Sequence, residues 1–223
     1  MRPEFSLKTY GLEPKNGGAP DSVLIFAHGF GDSGSGGLLD IARVWQRVLP
    51  RTLFLCPDAP FAFDAAPPDF GGRQWFSLRT FTPKELDDGV QMAAPYLNIY
   101  IDEVLAAFGL PASRLALAGF SQGAMMSLYV APRRAEPVAC VLAYSGVLTN
   151  GETLNAEKRC ASPVLLVHGT ADDRVPFAAM ADAKRRLKEA DIPVQTLACP
   201  GLGHGIDDEG IAMGMSVLQQ QLT

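Results

Sequence analysis

Apolar runs of strand length, separated by stretches of helix length, are the feature that most constrains the fold of this chain. They lie at residues 22–27, 52–56, 114–118, 139–144, 163–167 and 194–198. The runs are continuous rather than alternating, which is typical of parallel strands that helices cover on both faces. We expect residues 5–12 to add an outer strand. The pattern predicts an α/β fold with a mostly parallel central sheet of about seven strands.

Helical patterns fill the gaps between these runs. They are predicted at about 38–48, 82–108, 122–131, 177–190 and 208–221. The second helix opens with a capping box at Thr82 and Glu85, with Pro83 at the first helical position. We expect Pro95 to kink or break it, because proline lacks the amide donor of a helix interior. No change in composition indicates a linker, so residues 1–223 are predicted to form a single domain.

Composition and charge exclude several classes of protein. Hydrophobic residues make up 48% of the chain and charged residues 19%, which favours a large core over intrinsic disorder. The net charge of −5 argues against a nucleic-acid partner. No apolar run approaches the roughly 20 residues that a membrane-spanning helix needs. The N-terminus has no apolar stretch typical of a signal peptide, so a cytoplasmic location is expected.

The cysteines and histidines do not form a metal-binding pattern. The cysteines lie at Cys56, Cys140, Cys160 and Cys199, without C-x-x-C spacing. We expect reduced, mostly buried thiols. His28 and His168 each precede a glycine at the end of a strand and are interpreted as turn formers. Neither a metal nor another cofactor is predicted.

Residues 119–123, GFSQG, carry the strongest chemical signal. They follow the run 114–118 and open a helix, which is the strand–turn–helix context of a nucleophile elbow. The two glycines allow strand and helix to approach closely, and the serine between them is held on a sharp, strained turn. The following helix N-terminus favours developing negative charge. Ser121 is therefore the predicted nucleophile.

A serine nucleophile needs a base and a carboxylate that orients the base. In this architecture the three residues follow in the order Ser, Asp, His. The loop after the run 163–167 contains Asp172 and Asp173, and the loop after 194–198 contains His204. Both loops leave carboxyl ends of strands, where open α/β sheets bind ligands. We expect one of these carboxylates to orient His204 and His204 to act as the base.

The glycine-rich loop 29–34 has two main interpretations. It matches G-x-G-x-x-G after a strand, with Asp58 further along, which is a dinucleotide-binding pattern and would make the chain a nicotinamide-dependent reductase. The glycines continue past residue 34, however, so the helix does not begin at the third one. The loop is better explained as an oxyanion loop, in which the amide of Phe30 pairs with the amide of Gln122.

Two weaker patterns overlap the same loop. Residues 31–34, GDSG, match the tetrapeptide around the nucleophile of chymotrypsin-like proteases, which would make Ser33 the nucleophile. Those enzymes are β-barrels with their His and Asp upstream of the serine, and only His28 lies upstream here. The run 29–37 also lacks the Lys-Ser/Thr pair that a phosphate-binding loop requires.

Two connections bear on the substrate pocket. Residues 60–81 do not alternate and are rich in Pro, Gly and aromatic residues, which favours a functional segment over a plain loop. Their aromatic residues before Thr80 include Phe61, Phe63, Phe70, Trp75 and Phe76. The connection from residue 146 to residue 162 is short and leaves little room for a large lid.

The chain resembles the α/β-hydrolase family of small carboxylesterases, lysophospholipases and acyl-protein thioesterases. The matching stretches span most of the chain in the family's order: 28–34, 57–60, 74–76, 119–123, 168–176 and 203–204. The elbow FSQG and the pair Trp75-Phe76 are more specific than G-x-S-x-G alone. The stretches GRQWFS and GHGID are most similar to the bacterial phospholipase/carboxylesterase branch.

The resemblance implies a serine hydrolase that cleaves acyl esters or thioesters without a cofactor. The short connection 146–162 and the aromatic segment 60–81 predict a preference for short to medium acyl chains. The resemblance assigns catalysis to Ser121, Asp172 and His204, with Phe30 and Gln122 as oxyanion amides. It also implies that Trp75 and Phe76 line the acyl pocket. Lysophospholipids and acylated proteins remain alternative substrates of the same site. A non-catalytic relative that kept the fold is disfavoured because all three triad residue types are present in order. The oligomeric state, a homodimer included, stays open.

Overall fold

A computed structural model describes residues 3–67, 69 and 71–223 of the chain. The strands in chain order are β1 Thr9–Leu12, β2 Ser22–Ala27, β3 Thr52–Pro57, β4 Phe61–Ala62, β5 Arg73–Gln74, β6 Leu115–Phe120, β7 Cys140–Tyr144, β8 Val164–Gly169 and β9 Val194–Cys199. The α-helices are α1 Leu38–Trp45, α2 Pro83–Phe108, α3 Gln122–Val130, α4 Leu154–Glu157, α5 Ala178–Glu189 and α6 Asp208–Leu222. Within these residues, no helix has the length and apolar character needed to cross a membrane.

Seven strands form one sheet in the order β1-β3-β2-β6-β7-β8-β9. The edge strand β1 pairs antiparallel with β3, and every other pairing in this sheet is parallel. The predicted mostly parallel sheet of about seven strands is confirmed, and the outer strand expected in residues 5–12 is β1. The carboxyl ends of the parallel strands meet at one edge, so the loops after them are neighbours.

Both faces of the sheet are buried, which explains the continuous apolar runs. Along β2, Val23 and Ile25 belong to one core cluster while Leu24 and Phe26 belong to the other, because successive side chains point to opposite faces. On one side, Phe26 stacks on Trp45 of α1 with ring centroids 5.5 Å apart. The other cluster contains the buried face of α2 and most of α3.

Helix α2 continues through Pro95 without a break, so of the two outcomes expected there the break is wrong. A proline in a helix interior costs about 3 kcal/mol. The helix is held on both sides of this residue by fully buried side chains, among them Val90 and Leu97, so tertiary packing outweighs the local cost. The helix ends at Gly109, whose φ of 63° is the left-handed conformation of a helix C-terminus.

The N-terminus of α2 carries the Thr82 half of the predicted capping box, while the Glu85 carboxylate bonds to the residues before Thr82. The Thr82 side chain accepts a hydrogen bond from the Glu85 amide. The Glu85 carboxylate reaches back further than a capping box requires and accepts hydrogen bonds from the amides of Arg79, Thr80 and Phe81. These bonds lower the pKa of Glu85, those from Thr80 and Arg79 most, although burial opposes them. The same bonds hold Phe81 in its left-handed conformation, φ 55°.

The aromatic segment 60–81 is attached to the glycine-rich loop. Strands β4 and β5 pair antiparallel, and Phe70 between them lies outside the described residues. The Gly31 amide donates to the Arg73 carbonyl at 2.9 Å, and the Arg73 amide donates to the Asp32 carbonyl at 2.7 Å. The segment therefore acts as a short extra strand alongside the loop after β2.

The connection 146–162 packs against α2. It contains α4, whose Leu154 is buried. The Asn150 amide donates to Asp87 Oδ1 at 2.6 Å, and the Asn150 side chain donates to the Asp87 carbonyl at 3.2 Å. These bonds fix the connection to the side of the sheet, because Asp87 belongs to α2.

The crossing of β6 and α3 depends on two glycines. A Cβ added at Gly119 would overlap the Gly123 carbonyl, and a Cβ added at Gly123 would overlap the carbonyl of Ala27 at the end of β2. In each case the obstacle is backbone, which cannot move aside as a flexible side chain can. The start of α3 can therefore lie against the end of β2 only without side chains at these positions.

Gly123→Ala is expected to destabilise the fold by about 3 kcal/mol or more, because its methyl group has no room beside Ala27. Gly37→Ala is the control: this glycine has a helical φ of −59° and open space around its would-be Cβ. The control should change the free energy of unfolding by less than about 1 kcal/mol. Urea unfolding of both variants measures the difference, and equal effects would contradict the assigned crowding.

Candidate active site

Ser121 lies on the turn between β6 and α3 in strained backbone geometry. Its φ of 53° and ψ of −115° lie outside the regions that residues with a side chain ordinarily adopt. The Ser121 amide donates to the Tyr144 carbonyl at the end of β7, 2.9 Å away. Such strain persists only where the surroundings enforce it, and it is found at functional sites. The elbow expected from residues 119–123 thus has the strained turn that the pattern predicts.

A pocket of about 450 Å³ opens at the carboxyl edge of the sheet beside Ser121. It is lined by Gly29, Phe30, Asp32, Phe81, Phe120, Ser121, Arg174, Val175 and His204. The lining combines aromatic rings with the exposed charged residues Asp32 and Arg174. Ser121 and His204, which are far apart in the sequence, therefore face the same space.

Asp172 and His204 form the expected pair. Asp172 Oδ2 lies 2.8 Å from His204 Nδ1, and the Asp172 side chain is fully buried. Its other oxygen, Oδ1, accepts hydrogen bonds from the amides of Arg174 and Val175, each at 2.9 Å. Burial alone would raise the pKa of Asp172, but the hydrogen bonds from His204, Val175 and Arg174 outweigh it and lower the pKa. The carboxylate is thereby kept ionised next to the imidazole.

The His204 ring is oriented for proton transfer at its far nitrogen. Because Nδ1 donates to Asp172, Nε2 is the nitrogen left to accept a proton. The ring packs on Phe120, with centroids 4.8 Å apart. Among the described residues, no hydrogen bond joins the Ser121 hydroxyl to this ring. Catalytic hydrogen bonds are often long without substrate and tighten in the complex.

The two predicted oxyanion amides lie on neighbouring elements. Gln122 is the first residue of α3, where amides have no acceptor within the helix. Phe30 follows β2, which pairs with β6. Within the described part of the chain, neither amide donates to a backbone carbonyl outside its own element. Phe30 lines the pocket, whereas Gln122 is buried and is not among the lining residues, so an oxyanion hole made of both amides stays a prediction.

The Gln122 side chain has a second role, which the sequence analysis missed. It is fully buried, its Oε1 accepts from the Trp75 amide and its Nε2 donates to the Phe76 carbonyl, both at 2.8 Å. The residue that follows Ser121 thus holds the aromatic segment with its side chain. The FSQG pattern gave no indication of this partner because residues 75 and 76 are distant in the sequence.

The structure places Trp75 and Phe76, which were expected to line the acyl pocket, away from the pocket beside Ser121. Both are buried, 0% and 1% exposed, and neither borders the pocket. The bonds from Gln122 draw their backbone inward, and Trp75 Nε1 donates to the His28 carbonyl at 3.1 Å. The aromatic rings that line the pocket belong to Phe30, Phe81 and Phe120. Phe81 could have been suspected from its place immediately before the capping box.

The residues on which the competing interpretations of the glycine-rich loop depend have other roles in the structure. Asp58 Oδ1 accepts the Gly34 amide at 2.8 Å, and this side chain is buried rather than open to a ribose. The following helix begins at Leu38, not at the third glycine. Ser33 Oγ bonds to Ser35 Oγ, 2.9 Å away, in an exposed position. These contacts favour the oxyanion interpretation of the loop.

His28 does more than form a turn. Its Nδ1 lies 2.7 Å from the Gly29 carbonyl, and its Nε2 accepts the Ala59 amide at 3.0 Å. Because a carbonyl only accepts, Nδ1 carries the proton and the ring links two loops. Burial lowers the pKa of His28, against the effect of the bond to Gly29.

The four cysteines are the other side chains that could carry nucleophilic or metal chemistry. All four cysteines are free, and burial raises the pKa of Cys56 and of Cys140 to about 12. Such thiols are poor nucleophiles because the thiolate is the reactive form. In the ranges that the structure describes, no group of three His, Cys, Asp or Glu side chains is placed to hold a metal ion.

Comparison with known proteins agrees with this geometry. The phospholipase/carboxylesterase family profile matches residues 15–221. The chain is 27% identical over 209 residues to acyl-protein thioesterase 1 homolog 1 of Dictyostelium discoideum, covering 90% of this chain and 91% of the relative. It is 29% identical over 197 residues to acyl-protein thioesterase 1 of Schizosaccharomyces pombe, covering 86% and 87%.

Solved structures show the same similarity. The crystal structure of esterase PE8 superposes with a TM-score of 0.90 at 31% identity, covering 98% of this chain and 100% of that one. The crystal structure of SOBER1 from Arabidopsis thaliana gives a TM-score of 0.79 at 25% identity, covering 91% and 99%. With the family profile, these similarities show that the chain is a hydrolase of the α/β-hydrolase fold and belongs to the phospholipase/carboxylesterase family.

Proposed function

We propose that this protein hydrolyses carboxylic esters and thioesters of short to medium acyl chains through Ser121, His204 and Asp172. The observation that carries the proposal is the strained Ser121 sharing one pocket with His204, whose other nitrogen is bonded to a buried carboxylate. Two relatives are named acyl-protein thioesterases, which supports thioesters as the second substrate class. Assays with matched oxyesters, thioesters and lysophospholipids separate these classes.

The proposed reaction proceeds through an acyl-enzyme. His204 Nε2 takes the proton of the Ser121 hydroxyl as the serine oxygen bonds to the acyl carbon. The amides of Phe30 and Gln122 stabilise the oxyanion, and His204 returns the proton to the leaving alcohol or thiol. Water, deprotonated by the same nitrogen, then releases the acid and frees Ser121. General base catalysis contributes about 10²–10⁴-fold and each oxyanion donor about 10²–10³-fold.

The ionised Asp172 has a defined part in this reaction. Its pKa is held low, so it stays negative while His204 becomes positively charged. A negative charge 2.8 Å from Nδ1 stabilises the imidazolium that forms as the serine attacks. Activity is expected to fall in acid, because a base that already carries a proton cannot accept the one on Ser121.

Ser121→Ala is expected to lower kcat by at least about 10³-fold, because the oxyanion amides and the pocket remain while the nucleophile is lost. Ester hydrolysis by the purified variant measures this. A fluorophosphonate probe should add one label to the wild-type protein, on Ser121, and none to the variant. Ser33→Ala is the control and should keep the label; loss of the label there would contradict the assignment.

Asp172→Asn and Asp173→Asn provide a matched pair of neighbouring carboxylates. Asp172→Asn should lower kcat by about 10⁴-fold, because an amide there favours the wrong His204 tautomer. Asp173 is exposed, so Asp173→Asn should change kcat less than about threefold. Steady-state kinetics of both variants decide the assignment, and the reverse ranking would mean that the orienting carboxylate is Asp173.

The dependence of rate on acyl length should follow the aromatic lining. Each added methylene in an apolar pocket contributes about 0.8 kcal/mol until the pocket ends, so kcat/KM should rise from acetyl to butyryl or hexanoyl esters. Phe81→Ala removes one wall and should flatten this rise more than it lowers the acetyl rate. Met92→Ala is the control, since both side chains are 48% exposed but Met92 does not border the pocket. A wild-type preference for palmitoyl esters would contradict the assigned pocket.

A further inference from the structure

A second histidine lies against the Asp172 carboxylate. His168 is in β8, one residue before its end, and is 2% exposed. Its Nε2 lies 2.9 Å from the Val175 carbonyl and 3.3 Å from Asp172 Oδ2. Because a carbonyl oxygen only accepts, Nε2 must carry a proton and donate it to Val175. The same N–H group therefore points positive charge towards the region of the carboxylate.

Val175 forms hydrogen bonds with both His168 and Asp172. The Val175 amide donates to Asp172 Oδ1, and the Val175 carbonyl accepts from His168. Val175 therefore anchors the turn 172–175 through both its amide and its carbonyl. His168 does not border the pocket, and its other ring neighbour is Phe177, edge-on at 6.0 Å.

We propose that His168 is a positioning residue for Asp172, an inference that rests on the proposed triad. It keeps the turn 172–175 in place, so that Asp172 Oδ1 receives two amides and Oδ2 faces His204. It touches neither the substrate nor the reacting atoms and acts only through Asp172. The ionisable side chains around it are Asp172 and, beyond the carboxylate, His204; those of Asp173 and Arg174 are exposed.

The consequence of losing this donor has a definite sign. Without the His168 ring, the N–H group that lies 3.3 Å from Asp172 Oδ2 is lost, so the carboxylate attracts a protonated His204 more strongly. The acid limb of the kcat/KM profile should then move to higher pH. The loosened turn should also lower kcat, because small misplacements of a catalytic group are costly. KM should change little, since His168 lies outside the pocket.

The test uses three substitutions of His168. In His168→Gln the side-chain amide nitrogen takes the place of Nε2 and can donate to Val175, whereas in His168→Asn it falls short and in His168→Leu the donor is absent. We expect Asn and Leu to lower kcat at least about tenfold and to raise the acid-limb midpoint by about 0.5 pH unit or more. Gln should restore both values to near wild type. Thermal unfolding is measured alongside for each variant.

His28→Leu is the matched control, because His28 is also a buried histidine that precedes a glycine at a strand end and bonds to a carbonyl. It should lower stability and kcat without moving the acid-limb midpoint. The proposal is overturned if the His168 variants lose stability but keep the wild-type midpoint, or if Gln behaves like Leu. If Leu does not fold, the comparison of Gln with Asn decides. Retained activity in Ser121→Ala would instead refute the triad and not the link between His168 and Asp172.

Discussion

The contact between the start of α3 and the end of β2 is the constraint on which the site depends. Gly123 lies so close to the Ala27 carbonyl that no side chain fits. This closeness forces the turn at Ser121 into its left-handed geometry and places the free amide of Gln122 next to the loop that carries Phe30. The predicted nucleophile and the predicted oxyanion donors are therefore positioned by one backbone crossing.

The aromatic segment supports this crossing through its backbone, and its two central rings are buried away from the pocket beside Ser121. Gln122 bonds to the backbone of Trp75 and Phe76, while Arg73 exchanges backbone hydrogen bonds with Gly31 and Asp32. A glycine-rich loop has high conformational freedom, and these bonds order it at the point where an oxyanion would bind. The segment is long because it must reach from the elbow to this loop.

The sequence predicted what is encoded locally. Strands buried on both faces give continuous apolar runs, so the sheet and the order of Ser121, Asp172 and His204 could be anticipated. The burial of Trp75 and Phe76 could not be anticipated, because it depends on hydrogen bonds to a glutamine 46 or 47 residues away. Residues 168 and 28 carry the same His-Gly pattern, yet only one of them contacts the Asp172 carboxylate.

Asp172 and Asp173 are neighbouring carboxylates that differ in burial, and burial determines which of them can hold the His204 ring in a fixed orientation. Burying a carboxylate costs free energy unless hydrogen-bond donors replace the lost water. Asp172 receives such donors from two amides of the turn and from the His204 ring. These donors are already oriented before substrate arrives, so no reorganisation is needed when charge develops on His204. An exposed carboxylate such as that of Asp173 would be screened by water and would leave the ring free to rotate. Burial also makes the proposed role of Asp172 dependent on its neighbours, because a turn that shifts would leave a buried anion without donors.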